Sequence, residues 1–229
     1  MNFKTRVLFS TIICILSAYI LFFSCIDFFS MNRHFYNYQY AKLHTAYTIG
    51  MSSSSLYEAS DTLLDYLQDY RDDIRVVVEI QGEEREVFNE REKIHMVDVK
   101  NLYQGAKLVK NVSLVLVFAL LLLLIVDYKA GVVEVLTYTY KRFFLTFAFL
   151  ICALCVFAFS NFRSFWLVFH KLLFTNDYYF LDPATSIMIR MFPEQFFFTL
   201  VFCIVGLYLF ILLLLWFYSL YDVKKRLNG

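Results

Sequence analysis

Apolar positions along this chain gather into four long blocks separated by polar, aromatic-rich segments. Val7–Ile26 is a near-continuous apolar run of 20 residues, the length a helix needs to cross a bilayer. Val112–Val126 supplies 15, extended by Leu108, Val109 and a snorkelling Lys110. Phe143–Ser160 gives 18 and Phe196–Tyr221 gives 26, enough to span with tilt. The first block is too long for the apolar region of a signal peptide and lacks a small-x-small cleavage site, which predicts an uncleaved anchor.

Between the blocks the pattern changes. Met31–Tyr40, dense in Asn and Tyr, reads as an interfacial belt. Ser52–Ser55 leads into a helix, with Ser55 and Glu58 at capping-box spacing. Leu56, Leu63, Leu67, Tyr70 and Ile74 then recur at roughly helical spacing while Asp61, Asp65, Asp69 and Asp72 take the other face, an amphipathic pattern. The β-branched run Arg75–Ile80, the Gln81-Gly82 turn and the return Arg85–Phe88 predict a β-hairpin. Asn89 and Glu92 stand at N-cap and N3 of a further helix. That helix carries His95, Asp98 and Leu102 on one face and runs through Ala106 into the second apolar block. Later, Ser164–Phe174 is apolar but too short to span, and the His170 and Lys171 in its midst predict a re-entrant or interfacial segment. Thr175-Asn176-Asp177 breaks it. Asp182-Pro183, as N-cap and N1, predicts a short helix through Ile187 and Met191, and Phe192-Pro193-Glu194 restarts the chain into the last block.

Composition sharpens this into a fold class. Hydrophobic residues make up 60% of the 229, and the net charge of +1 points to neither nucleic acid nor a strongly acidic partner. The expected fold is a mainly α integral membrane protein. It has a four-helix transmembrane bundle and a small extracytoplasmic α+β cap between spans one and two. The expected segments are 1–29 (tail and first span), 30–107 (cap), 108–127 (second span), 128–142 (cytoplasmic loop), 143–160 (third span), 161–195 (extracytoplasmic interfacial segment) and 196–229 (fourth span and basic tail). Lys4 and Arg6, then Lys129, Lys141 and Arg142, then Lys224, Lys225 and Arg226 flank the spans, so both termini are expected in the cytoplasm. His95 and His170 are then both extracytoplasmic.

All five cysteines (Cys14, Cys25, Cys152, Cys155 and Cys203) fall inside the apolar blocks, so no disulfide framework is expected. The Cys152-x-x-Cys155 pair allows a membrane thiol oxidase, but it falls mid-span, where a thiolate is disfavoured, and packing is the preferred reading. His34 and His44 have no Cys or carboxylate at ligand spacing, and the Asp61, Asp65 and Asp69 stripe reads as a solvated face before a divalent-cation site. No metal is expected.

His95 and His170 remain as candidate chemistry. Two facing imidazoles suit general acid–base work near neutrality; the alternative is two unrelated interfacial histidines, each bound to backbone. Asp98 is placed to orient His95, and Asp177 or Asn176 to orient His170. No Gly-x-Ser-x-Gly elbow occurs, and Cys25 is the one thiol near the outer face, so chemistry without an acyl-enzyme is expected.

The run His95-Met-Val-Asp98-Val-Lys100 resembles the lipoprotein intramolecular transacylases (Lit) of Gram-positive bacteria. So do Phe169-His170, Asn176-Asp177, Leu181-Asp182-Pro183 and Met191-Phe192-Pro193-Glu194, and the likeness covers the chain from end to end. One departure is Tyr178-Tyr179, where the family pattern has a Trp after Asn-Asp. The resemblance implies an acyltransferase of the bacterial cytoplasmic membrane whose substrate is a diacylglyceryl lipoprotein. It moves the sn-2 acyl chain to the α-amine of the N-terminal cysteine, leaving a lyso-form N-acyl lipoprotein. His95 and His170 would be its catalytic pair at the outer leaflet. Arg91, Lys100, Tyr103 and Lys171 would bind substrate or steady the developing oxyanion. It calls for no cofactor, for membrane lipids as the other partner, and for a monomer. The competing reading is a non-catalytic four-span partner or assembly protein with an extracytoplasmic docking domain, which would need neither histidine.

Overall fold

The computed structural model describes residues 2–128 and 131–227; Lys129, one of the charges used above for topology, lies outside them. In chain order the elements are α1 (Phe3–Ser30), α2 (Arg33–Lys42), α3 (Thr45–Ile49), α4 (Ser53–Leu67), β1 (Val77–Ile80), β2 (Glu83–Glu86), α5 (Glu90–Tyr128), α6 (Val132–Ser160), α7 (Phe162–Leu173), α8 (Ile187–Met191) and α9 (Glu194–Leu227). All four apolar blocks are helical. α1, α5, α6 and α9 are each long and apolar enough to cross a membrane, where only a helix or a closed barrel satisfies its own backbone. Large side chains such as Phe149, Val156 and Val126 stand exposed on them, as lipid-facing positions must. The chain is a multi-pass helical membrane protein.

Two compact units are built from it. The first takes Met1–Ile26, Lys107–Ser160 and Phe202–Gly229. Ile13, Leu124 and Val132 pack together inside it, and Phe144 stacks on Trp216 with centroids 5.4 Å apart. Arg6 pairs with Asp127 at 2.8 Å and lies over the Tyr128 ring.

The second unit, Asp27–Ala106 with Asn161–Val201, holds both candidate histidines. Its core is aromatic: Phe196 meets Tyr36 edge-on at 5.1 Å, Phe192 at 5.2 Å, and stacks on Tyr40 at 5.8 Å. Against this background several local readings change. Residues 33–42 are a helix rather than only an aromatic belt. Asn32 caps it by accepting from His34 and Phe35 backbone N–H, and Tyr36, Gln39 and Tyr40 turn inward at i, i+3 and i+4. The cap of α4 is Ser52, not Ser55, because the Ser52 hydroxyl accepts the Ser55 N–H at 3.0 Å. Leu56, Leu63 and Leu67 are buried as patterned, but the helix stops at Leu67. Asp69 then takes a left-handed φ of 69°, Tyr70 leaves the helical register, and its ring is 73% exposed. Asp182 starts a turn rather than a helix; the N-cap of α8 is Ser186.

β1 and β2 pair antiparallel from Val77↔Glu86 to Ile80↔Glu83. Gln81 and Gly82, at φ 55° and 84°, make the tight turn whose twist matches the strands. A lone hairpin is marginal. This one buries Val78 and Ile80 and is tied back by Gln81 N–H donating to the Gly50 carbonyl at 2.7 Å. Gly50 has φ +81°, and a Cβ there would meet Gln81 Cγ at 2.7 Å, so the contact requires glycine.

Candidate active site

α5 opens with a reciprocal capping box. Asn89 Oδ1 accepts the Glu92 N–H at 3.0 Å, and Glu92 Oε2 accepts the Asn89 N–H at 2.6 Å. The other Glu92 oxygen accepts from Ser186 Oγ at 2.5 Å and from the Met188 N–H at 2.9 Å. A fully buried carboxylate thus fastens the first turn of α5 to the first turn of α8. His95 stands three residues further on, well ahead of the apolar stretch Val112–Val126.

α7 presents the second ring. Asn161 caps it by accepting the Ser164 N–H, and Phe162 and His170 are its buried residues. His170 Nδ1 lies 2.7 Å from the Trp166 carbonyl oxygen. A carbonyl can only accept, so Nδ1 carries the proton and Nε2 keeps its lone pair. The expectation that Asp177 or Asn176 would fix this tautomer is therefore corrected: a backbone carbonyl one turn back does it.

The two imidazoles face one another with centroids 6.0 Å apart and planes inclined by 35°. That is too far to share one hydrogen bond and close enough for one reacting group to touch both. Phe174 sets its edge on His95 at 5.2 Å, while Tyr179 and Trp166 lie 5.0 and 4.8 Å from His170. Only 8% of His95 and 9% of His170 is exposed. Burial pushes the His95 imidazole down to about 4, helped by the His170 ring and by Arg91, with Asp98 opposing. Burial also lowers His170, against the opposing pull of its bond to Trp166. Both rings are therefore neutral near pH 7. Among the described residues, His95 Nδ1 is buried with no hydrogen-bond partner.

Arg91 and Asp98, one turn either side of His95, hold the segment that follows α7. Asp98 Oδ2 accepts from Asn176 Nδ2 at 2.8 Å, and Asn176 Oδ1 accepts the Tyr178 N–H at 3.1 Å. Arg91 Nε donates to the Phe180 carbonyl at 2.9 Å, its guanidinium also donates to the Asp177 carbonyl, and it lies 5.4 Å from the Tyr178 ring. Asp98, Asn176, Asp177 and Arg91 thus form one framework that carries Tyr179 to His170. Lys100 points elsewhere, to Asp69 at 2.7 Å, the Arg71 carbonyl and the Tyr66 ring. Tyr103 donates its hydroxyl to Asp27, and Lys171 is exposed. Asp61 and Asp65 are both paired with Arg33, and Cys25 is buried within α1.

Reading along the chain missed four participants. Phe174 had a signal, standing four residues after His170 on the same helical face. The Trp166 carbonyl, one turn before His170 in the same helix, was equally local, whereas the Tyr179 ring and the Glu92–Ser186 link depend on neighbours that only folding supplies.

A multi-pass helical membrane protein with two facing, nearly buried imidazoles is the class that fold and site define. The sequence model of the lipoprotein intramolecular transacylase Lit matches residues 11–197. The fold is similar to that of the membrane-integral transacylase Lit from Bacillus cereus, with a TM-score of 0.76 and 21% identity over 100% of both chains. Two variants of that enzyme, one with a histidine replaced by arginine and one by alanine, each match at TM-score 0.72. They are 22% and 21% identical, over 99% of this chain and 96% and 97% of theirs. No curated protein sequence matches the chain. The chain belongs to the Lit family of lipoprotein intramolecular transacylases, and transacylation of lipoproteins is its general activity.

Proposed function

We propose that the chain moves the sn-2 acyl chain of a diacylglyceryl lipoprotein onto the α-amine of the N-terminal cysteine, with His95 and His170 as the acid–base pair. The amine nitrogen attacks the ester carbonyl, the tetrahedral intermediate collapses, and the glyceryl oxygen leaves as a hydroxyl. One proton leaves the nitrogen and one reaches the oxygen, so atoms balance without water or an acyl-enzyme. Donor and acceptor belong to one molecule, which makes orientation the larger lever and proton transfer the smaller. His170 Nε2, lone pair outward, is suited to take the amine proton. The proton gained is then passed to the departing glyceryl oxygen, with the neutral His95 ring facing the reacting group from the other side.

The observation that carries this reading is the 6.0 Å separation of two imidazoles that burial holds neutral. Asp98 and Arg91 act as positioning residues through the 176–180 segment, and Lys171, exposed at the end of α7, is the cation left to meet the lipoprotein. By the flanking charges, the termini are cytoplasmic and the histidines lie at the outer leaflet, where the substrate is anchored. The enzyme works as a monomer.

The test is to express His95→Ala and His170→Ala separately in a lipoprotein-making host and locate the second acyl chain by mass spectrometry. Each loss should lower conversion by at least about 100-fold. Wild-type conversion by either variant refutes the pair. Loss by both, with the variants folded and present in the membrane, sustains it.

A further inference from the structure

In the first unit, α1 and α6 flank a groove of about 530 Å³ lined by Phe3, Lys4, Val7, Tyr138, Arg142 and Phe143, together with Thr11 and Thr139. Its volume suits a bound small molecule. Two cations line it and no carboxylate does. Neither cation has an ion-pair partner among the described residues; Arg142 instead lies 4.8 Å from the Tyr138 ring centroid, to which Phe3 is also packed. Both threonine hydroxyls are spent on their own helices, Thr11 on the Val7 carbonyl and Thr139 on the Val135 carbonyl, each at 2.8 Å. Neither threonine hydroxyl proton is therefore left for a ligand. Two cations in an otherwise largely aromatic and aliphatic lining are complementary to a phosphate that carries acyl chains.

We propose that this groove is a binding site for an anionic glycerophospholipid, its phosphate between Lys4 and Arg142 and its chains along Val7, Thr11 and Phe143. The site lies in the unit that does not contain the histidines, and the lipid is a resident of the bilayer rather than the substrate of acyl transfer. Basic pockets between spanning helices are where anionic headgroups are recognised. Arg142 contributes a planar fork suited to phosphate oxygens, and Lys4 a point charge.

The full-length protein, delipidated in detergent, is titrated with dioleoyl-phosphatidylglycerol or dioleoyl-phosphatidylcholine, and bound lipid is counted by native mass spectrometry. Wild type should prefer phosphatidylglycerol. The double variant Lys4→Gln/Arg142→Gln should lose about 25-fold of that preference, at roughly 1 kcal/mol per cation. Lys141→Gln, the neighbour that does not line the groove, should lose none. Thr11→Trp, which adds bulk at a lining position and keeps both cations, should abolish the tight phosphatidylglycerol site and the rise in Tm that the lipid confers. Unchanged preference in the double variant, equal loss in Lys141→Gln, or a persistent lipid-dependent Tm rise in Thr11→Trp each overturns the proposal. Inorganic phosphate at millimolar concentration should not compete; if it does, the site reads the anion alone and the lipid assignment fails. Should the double variant not fold, Thr11→Trp decides.

Discussion

Glu92→Gln isolates one carboxylate oxygen at the point where two parts of the site's scaffold join. In the wild type one oxygen serves Ser186 Oγ and the Met188 N–H, while the other serves the Asn89 N–H. Glutamine has nearly the same shape, and its single carbonyl can keep either the first two bonds or the third. If it keeps the first two, its NH2 meets the Asn89 N–H donor to donor. One charge-assisted bond is lost, worth roughly 1.5–3 kcal/mol, and a buried donor is left unpaired. The remaining two bonds weaken as the acceptor loses its charge. The expected cost is about 3 kcal/mol. Glu92→Ala, which strands all three donors, should cost more, about 5 kcal/mol. For a chain of this size each kcal/mol lowers Tm by roughly 2–4 °C, so Glu92→Gln should melt about 6–12 °C early. The assay is thermal denaturation of the detergent-solubilised protein, followed by near-UV circular dichroism. A double-mutant cycle with Ser186→Ala should return a coupling of about 1–2 kcal/mol, since those side chains share a bond. A Glu92→Gln melt within 1–2 °C of wild type, or a coupling near zero, would refute the claim that this carboxylate fastens α5 to α8.

Three further outcomes are expected. His95, buried neutral with its pKa down from 6.5 to about 4, binds its proton more weakly folded than unfolded. Stability should therefore be full above pH 6.5 and fall by about 3 kcal/mol as pH drops through the window to 4, and His95→Gln should flatten that slope in melts across pH. Lys100→Ala removes a pair with a largely exposed Asp69 and should cost less than about 1 kcal/mol while leaving KM unchanged; a several-fold rise in KM would return Lys100 to the substrate site. Arg91→Ala frees the Asp177 and Phe180 carbonyls and loosens the segment that carries Tyr179. It should lower kcat about tenfold or more, with Arg91→Lys rescuing little because a point charge cannot serve two carbonyls as a fork does; full activity in a folded Arg91→Ala would overturn that role.

What the chain could disclose about itself was whatever repeats or punctuates locally. Four apolar blocks, the Asn89–Glu92 box, the Gln81-Gly82 turn and the inward leucines of α4 are each decided within a few residues by solvent transfer and backbone hydrogen bonding. The histidines too were visible, as costly polar groups near membrane depth with carboxylates at helical spacing. Local signals failed where two readings compete over the same residues. The Asn32 cap and the 36/39/40 stripe of α2 were masked by an aromatic composition that suits an interface equally well. At α4 a left-handed Asp69 ended a helix whose apolar pattern ran on to Tyr70 and Ile74.

Tertiary structure alone decided which groups meet. His95 and His170 are separated by 75 positions, and nothing in either stretch encodes a 6.0 Å approach. One contact was local after all: the Trp166 carbonyl, one helical turn back along α7, sets the His170 tautomer in place of Asn176 and Asp177. Lys100 was claimed by Asp69, and Glu92 gained Ser186. Periodicity is written in neighbouring residues, so a sequence determines its helices and their buried faces. The choice among several chemically equivalent partners depends on distance in space, which only the packed chain supplies.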